Sequence, residues 1–191
     1  MGRIRYGIKN LFYAIATDDG SGKLTYGAPV SVPGAKSISL DPQGDTVSEY
    51  ADNTLWFSAT ANSGYNGDLV FEDTAAAEEF LAAVLGLTKD ATTGAIFETA
   101  SDKQKEFALM WQFELAGGEE TGKRTVLYRC VASRPSQAGA TKEAGITVDT
   151  NSVKITAMPR INDDMVKASC TSGATSYSKW FSKVVEKGAT A

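Results

Sequence analysis

The stretch Glu106-Phe-Ala-Leu-Met-Trp-Gln-Phe-Glu-Leu115 decides the fold class. Phe107, Leu109, Trp111, Phe113 and Leu115 fall on one parity, while Glu106, Gln112 and Glu114 fall on the other. Side chains of a strand alternate between its two faces, so this spacing predicts a long antiparallel strand with one buried face. The run Gly117-Gly-Glu-Glu-Thr-Gly122 then reads as a turn. Over residues 123–134 the alternation resumes, with Val126, Tyr128, Cys130 and Ala132 in phase. Two alternating runs around a glycine-rich turn make a β-hairpin. Pro135 has no N–H to give to a ladder and closes the second strand.

Weaker strand signals lie on either side. Residues 8–17 are rich in β-formers and stop at the cluster Asp18-Asp-Gly-Ser-Gly22. Residues 36–40 alternate and stop at Asp41-Pro42; residues 54–61 put Leu55, Phe57 and Ala59 in phase. Leu69-Val-Phe71 follows Asn66-Gly67, a turn dipeptide. Residues 146–148 and 153–157 read as a bent strand pair. The aromatic residues Trp56, Phe57, Phe107, Trp111, Phe113 and Tyr128 are expected in the core. One amphipathic helix is expected over Ala75–Leu85, capped by Asp73 or Thr74, with Glu78 and Glu79 near its positive end and Gly86 at its exit. A short C-terminal helix is expected where Tyr177, Trp180, Phe181 and Val184 recur at i, i+3, i+4, i+7, with Lys179, Lys183 and Lys187 on the other face. Residues 41–53, carrying Asp41, Asp45, Glu49 and Asp52 but only Val47 and Tyr50 as large side chains, are expected to form a long loop; residues 133–144 are small and polar. The expected organisation is one β domain over 1–172 that includes the 41–53 loop, followed by a C-terminal arm over 173–191.

Composition narrows the chemistry. The 191 residues are 42% hydrophobic and 22% charged, the balance of a soluble globular domain. With no histidine, a Ser-His-Asp triad, a Cys-His pair and a histidine metal site are excluded. Cys130 and Cys170 are too few for a disulfide framework or a zinc ribbon; they read as two separate small apolar side chains or as a single disulfide. No apolar run approaches the ~20 residues of a membrane-spanning helix, and the N-terminus lacks a signal-peptide pattern. Net charge is −4, but residues 1–100 hold six Lys/Arg against thirteen Asp/Glu, and residues 101–191 hold thirteen against ten. Such asymmetry suits a chain whose unlike surfaces meet in an assembly.

Candidate catalytic patterns fall away. Gly117-x-x-x-x-Gly122-Lys123 resembles a phosphate loop, but Arg124 stands where Ser or Thr must hold magnesium, and the segment joins two strands. Asp18-Asp19 and Asp163-Asp164 are adjacent carboxylates, which point apart on a strand and form no acid/base couple. Calcium-loop spacing is absent. The basic residues Lys123, Arg124, Arg129, Arg134, Lys142 and Lys154 are scattered and do not form a nucleic-acid-reading run. Trp180 and Phe181 sit in a segment too short to be stable alone, so they must dock on their own domain or on a neighbouring subunit.

An ordered series of segments resembles the major tail protein, or tail-tube subunit, of long-tailed phages and prophages of Gram-positive bacteria. The series runs Tyr6-Gly-Ile-Lys-Asn-Leu-Phe-Tyr-Ala, Gly27-Ala-Pro-Val-Ser-Val-Pro-Gly-Ala, Tyr50-Ala-Asp-Asn, Gly64-Tyr-Asn-Gly-Asp-Leu, Phe80-Leu-Ala-Ala-Val-Leu-Gly and Arg124-Thr-Val-Leu-Tyr-Arg-Cys-Val-Ala-Ser-Arg-Pro. The resemblance implies an antiparallel β-sandwich or partly closed β-barrel with a flanking helix, and a virion structural protein with no catalytic residue, cofactor or metal. It implies hexameric rings stacked into a hollow tube, made in the host cytoplasm and located in the virion tail. Double-stranded DNA would pass through the lumen without sequence-specific contacts. The implied partners are the tape-measure, tail terminator and distal tail proteins. Some relatives append an immunoglobulin-like domain of about 100 residues, which is not expected within these 191 residues. Expected inter-subunit contacts are Asp45, Val47, Glu49, Tyr50 and Asp52 in the loop, and Trp180 and Phe181 in the arm. The competing function is a small carbohydrate-binding β-sandwich module that uses exposed aromatics as stacking platforms; an enzyme with converged carboxylates is a third.

Overall fold

The computed structural model describes residues 4–116, 122–137, 141 and 150–188. Its elements run β1 (Arg5–Asp18), β2 (Leu24–Tyr26), β3 (Val30–Ser31), β4 (Ala35–Gln43), β5 (Thr46–Ala51), β6 (Thr54–Thr60), β7 (Gly64–Glu72), α1 (Ala75–Leu85), β8 (Thr88–Lys89), β9 (Ile96–Phe97), β10 (Phe107–Leu115), β11 (Gly122–Ala132), β12 (Thr150–Ala157) and β13 (Lys167–Thr171). The fold is mainly β and antiparallel, with one helix. The turn expected over 117–121 and the strand expected over 146–148 lie outside the described residues.

One sheet dominates, in the order β2-β1-β10-β11-β12-β7-β4, with β3 added to β1 and β13 added to β11. It curls so that Ile8 on β1 and Ile38 on β4 pack on the same core, but no ladder joins these strands and the barrel stays open. Inside the curl lie Leu11, Leu69, Phe71, Phe107, Leu109, Leu127, Val153 and Ile155, all buried. Helix α1 closes this face with Ala77, Phe80 and Val84. The Phe80 ring meets Tyr13, Phe71 and Phe107 edge-on at 5.0, 5.8 and 5.7 Å between centroids, the arrangement aromatic quadrupoles prefer. The helix keeps its expected bounds: the Thr74 hydroxyl accepts from the Ala77 N–H at 3.1 Å, and Gly86 leaves the helix at φ 75°.

The sheet departs from the sequence pattern in four places. First, β10 is buried on both faces from Phe107 to Gln112, not on one. Ala108 and Met110 face a second core with Ala14, Val126, Tyr128, Trp180 and Val184. Second, β11 carries a bulge. Phe107 lies opposite Cys130 and Leu109 opposite Leu127, so Tyr128 and Arg129 together oppose Ala108. The extra residue reverses the parity, which puts Cys130 and Ala132 in the first core and Val126 and Tyr128 in the second. Third, Asn66-Gly67 is no turn but mid-strand. Gly67 pairs with Ile155 on one side and Leu40 on the other, and a Cβ there would stand 1.8 Å from the Ser39 carbonyl oxygen. Fourth, β4 runs through Asp41-Pro42, which an edge strand tolerates because one row of its backbone groups is unpaired.

The expected C-terminal helix is replaced by a chain of turns. Tyr177 N–H bonds Ala174 C=O at 3.0 Å, Trp180 N–H bonds Tyr177 C=O at 3.3 Å, and Ser182 N–H bonds Lys179 C=O at 3.0 Å. Three-residue turns still bring i and i+3 to one side, so Tyr177, Trp180 and Val184 are buried as the spacing requires. Side chains of the sheet take carbonyls that a helix would need. Arg124 donates to the Tyr177 carbonyl, and the Tyr128 hydroxyl donates to the Val185 carbonyl at 2.7 Å.

Candidate functional site

The expected 41–53 loop is a strand pair. Strands β5 and β6 pair only with each other, joined by Asp52 and Asn53 at φ 51° and 62°. Two central residues with positive φ form the turn whose twist matches a hairpin, and Asp and Asn adopt that conformation more readily than bulkier residues. The ladder of β4 and β7 leads into the hairpin through Ser63 N–H to Gln43 C=O at 2.9 Å and Ala61 N–H to Asp45 C=O at 3.0 Å. Between them the chain bends at Gly44, φ 147°, where a Cβ would stand 1.9 Å from the Ala61 carbonyl oxygen. From Thr46 to Ala51 the ribbon reaches roughly 20 Å, at about 3.3 Å per residue.

Every residue from 44 to 63 is exposed. That run includes Val47 (55%), Tyr50 (71%), Leu55, Trp56 (75%) and Phe57 (54%). On one face Val47 lies opposite Ala59, and Glu49 opposite Phe57. On the other Tyr50 lies opposite Leu55, and the hydroxyls of Thr46 and Thr60 meet at 2.9 Å. Trp56 occupies a bulge between the Phe57 and Leu55 pairings. Asp45, Glu49 and Asp52 give the hairpin three negative charges, and the sequence holds no Lys or Arg between Lys36 and Lys89. An isolated two-stranded hairpin is at best marginally stable in water. This one keeps five large apolar side chains in solvent.

Trp180 and Phe181 lie elsewhere, on the outer face of the sheet. Trp180 is 2% exposed within its own chain, and Phe181 stacks on Phe12 at 4.7 Å. The Arg124 guanidinium lies 3.7 Å from the Tyr177 ring centroid and 4.9 Å from that of Phe181, while its Nε donates to Gln112 Oε1 at 2.9 Å. Arg160, buried, donates to Glu186 at 2.8 Å and to Asp163 at 2.9 Å, tying the arm to the loop before β13. Burial opposes the Arg160 charge, but these carboxylates outweigh it and hold the group protonated. In return the Arg160 hydrogen bond holds the Asp163 carboxyl below the usual carboxylate range. Burial pushes the nearby Tyr26 phenol up to about 12.

The two cysteines are separate thiols on opposite faces of the sheet: Cys130 sits in the inner core, and Cys170 borders the outer one. Burial pushes both thiols up, which suppresses the reactive thiolate. Among the described residues no group of three or more Cys, Asp or Glu is placed to hold a metal ion. No helix among them is long and apolar enough to cross a membrane.

No protein-family profile matches the chain, and no curated protein matches it in sequence.

Of the seven expected contact residues, the structure brings Asp45, Val47, Glu49, Tyr50 and Asp52 together on one projecting hairpin and seats Trp180 and Phe181 against the chain's own sheet. Sequence reasoning placed Trp56 and Phe57 in the core, where they are not.

Proposed function

We propose that this chain is a tail-tube subunit whose copies form hexameric rings stacked into a hollow phage tail tube. The observation that carries the reading is the hairpin of residues 44–63, exposed throughout and bearing Val47, Tyr50, Leu55, Trp56 and Phe57. A surface of this kind gains most by being covered, and a second copy of the chain is the partner that a self-assembling ring supplies. Head-to-tail assembly joins unlike surfaces, so the acidic hairpin meets the more basic half of a neighbour. The β-rich architecture with one flanking helix agrees with what the resemblance implies. In this reading the hairpin reaches the adjacent ring and the chain acts through its surfaces, not through catalysis. The lumen passes double-stranded DNA, tape-measure, terminator and distal tail proteins are the partners, and the virion tail is the location.

Negative-stain microscopy of the concentrated protein tests this, with rings or hollow tubes as the expected result. The companion variant removes residues 45–61 and joins Gly44 to Asn62, whose surroundings are already adjacent across the ribbon. It is expected to remain a folded monomer that forms no tubes. Tubes of normal length from that variant would overturn the role of the hairpin. Exposed Tyr50 and Trp56 also suit stacking on a sugar face. A monomer that never assembles but binds an oligosaccharide saturably, and loses it on Trp56→Ser, establishes that reading instead.

A further inference from the structure

A cavity of about 200 Å³ opens between the inner face of β10 and the neighbouring strands. Its walls include Ile38 and Leu40 from β4, Trp111 and Phe113 from β10, and Tyr65 from β7. Arg5, Lys123 and Lys167 also line it, and among the described residues no acidic one does. None of these three cations forms an ion pair with a carboxylate among the described residues. Two are held in place by aromatic rings. The Arg5 guanidinium lies 4.6 Å from the Phe113 centroid, and the Lys167 ammonium lies 4.2 Å from the Tyr65 centroid and 2.7 Å from its hydroxyl. Trp111 is 2% exposed, and its indole N–H, like that of Trp180, is buried with no hydrogen-bond acceptor among the described residues. Buried donors without a partner are rare in native proteins, because each forfeits its hydration for nothing.

We propose that this cavity binds a small organic acid, with the carboxylate among Lys123, Lys167 and Arg5 and the apolar body against Trp111 and Phe113. Three cations with no acid beside them among the described residues favour an anion. Thr125 and Ser169 add hydroxyls to the lining, and its aliphatic and aromatic part favours an organic over an inorganic anion. Size sets the body: an apolar cavity of about 150 Å³ accepts a benzene ring, so this one takes a single ring or a six-carbon chain.

The test titrates the full chain with benzoate and hexanoate by calorimetry, with benzyl alcohol and inorganic phosphate as controls, and follows the Trp111 indole N–H resonance. Both acids are expected to bind one per chain and to shift that resonance, with both controls weaker by about tenfold or more. Lys123→Met and Lys167→Met should each weaken benzoate roughly tenfold, as expected for the loss of one charge-assisted hydrogen bond, with the melting temperature retained. The same chemistry is offered by Glu49 or Asp52 on a second copy's hairpin. If benzoate binds dilute monomer directly, the source is a free acid; if it instead dissociates assembled protein, the source is the neighbouring chain. No saturable binding at millimolar acid, phosphate binding as tight as benzoate, or affinity unchanged in both lysine variants would each overturn the proposal.

Discussion

Replacing Trp56 with serine separates assembly from folding. The side chain is 75% exposed, so of the roughly 150–250 Å² a buried aromatic covers, about 150 Å² faces solvent. At about 25 cal/mol per Å², full coverage by a partner contributes about 4 kcal/mol and half coverage about 2. Loss of that contact raises the concentration needed for assembly roughly 30- to 1000-fold. The folded monomer should hardly notice. Trp56 sits at a bulge with no single opposing residue, touches neither core, and leaves the change in stability within about 0.5 kcal/mol. Sedimentation velocity across a concentration series reads the first effect and a thermal melt reads the second. Assembly at the wild-type concentration refutes the reasoning about the hairpin. A melting point lowered by several degrees refutes it differently, by showing that Trp56 packs against its own chain.

Three further outcomes follow from the packing. Gly67→Ala puts a methyl into the Ser39 carbonyl, so β4 must move; a loss of about 1–3 kcal/mol is expected, with hydrogen exchange fastest along β4. Trp180→Ala removes the largest side chain of the arm from the outer core and should cost about 3–5 kcal/mol, with Tyr128 and Met110 newly accessible to solvent probes; native-like protection of Val126 and Tyr128 amides would contradict this. Acidification should loosen the arm. Asp163 titrates below its unfolded value of 3.8, so its contribution is complete above that value and is lost as pH falls through the lower folded one. Trp180 fluorescence in a Trp56→Phe, Trp111→Phe background should therefore change below about pH 4, and Asp163→Asn should show the loosened signal already at neutral pH.

Much of the architecture is legible in local patterns. The alternation over 106–115 and the resumed run after Gly122 became β10 and β11, and the Thr74 cap, the apolar spacing and Gly86 bounded α1 to the residue. These signals are local because the backbone itself sets the periods of strand and helix. The acidic segment at 41–53 was misread as a loop because its strand residues are all exposed, and a two-sided polar strand carries no alternation to detect. The cavity lined by Arg5, Lys123 and Lys167 left no trace in sequence, since its walls come from six strands scattered across the chain.

The sequence by itself determined the long hairpin of β10 and β11, where helix α1 begins and ends, and that no histidine chemistry exists. It did so through nearest-neighbour geometry and composition. Only the tertiary structure decided which faces those elements turn to one another. One extra residue at Tyr128-Arg129 reverses the phase of β11, the arm buries a face of β10 that alternation alone left open, and the bend at Gly44 carries Trp56 away from every core. Each depends on pairing between residues distant along the chain, and local periodicity holds no record of such pairing.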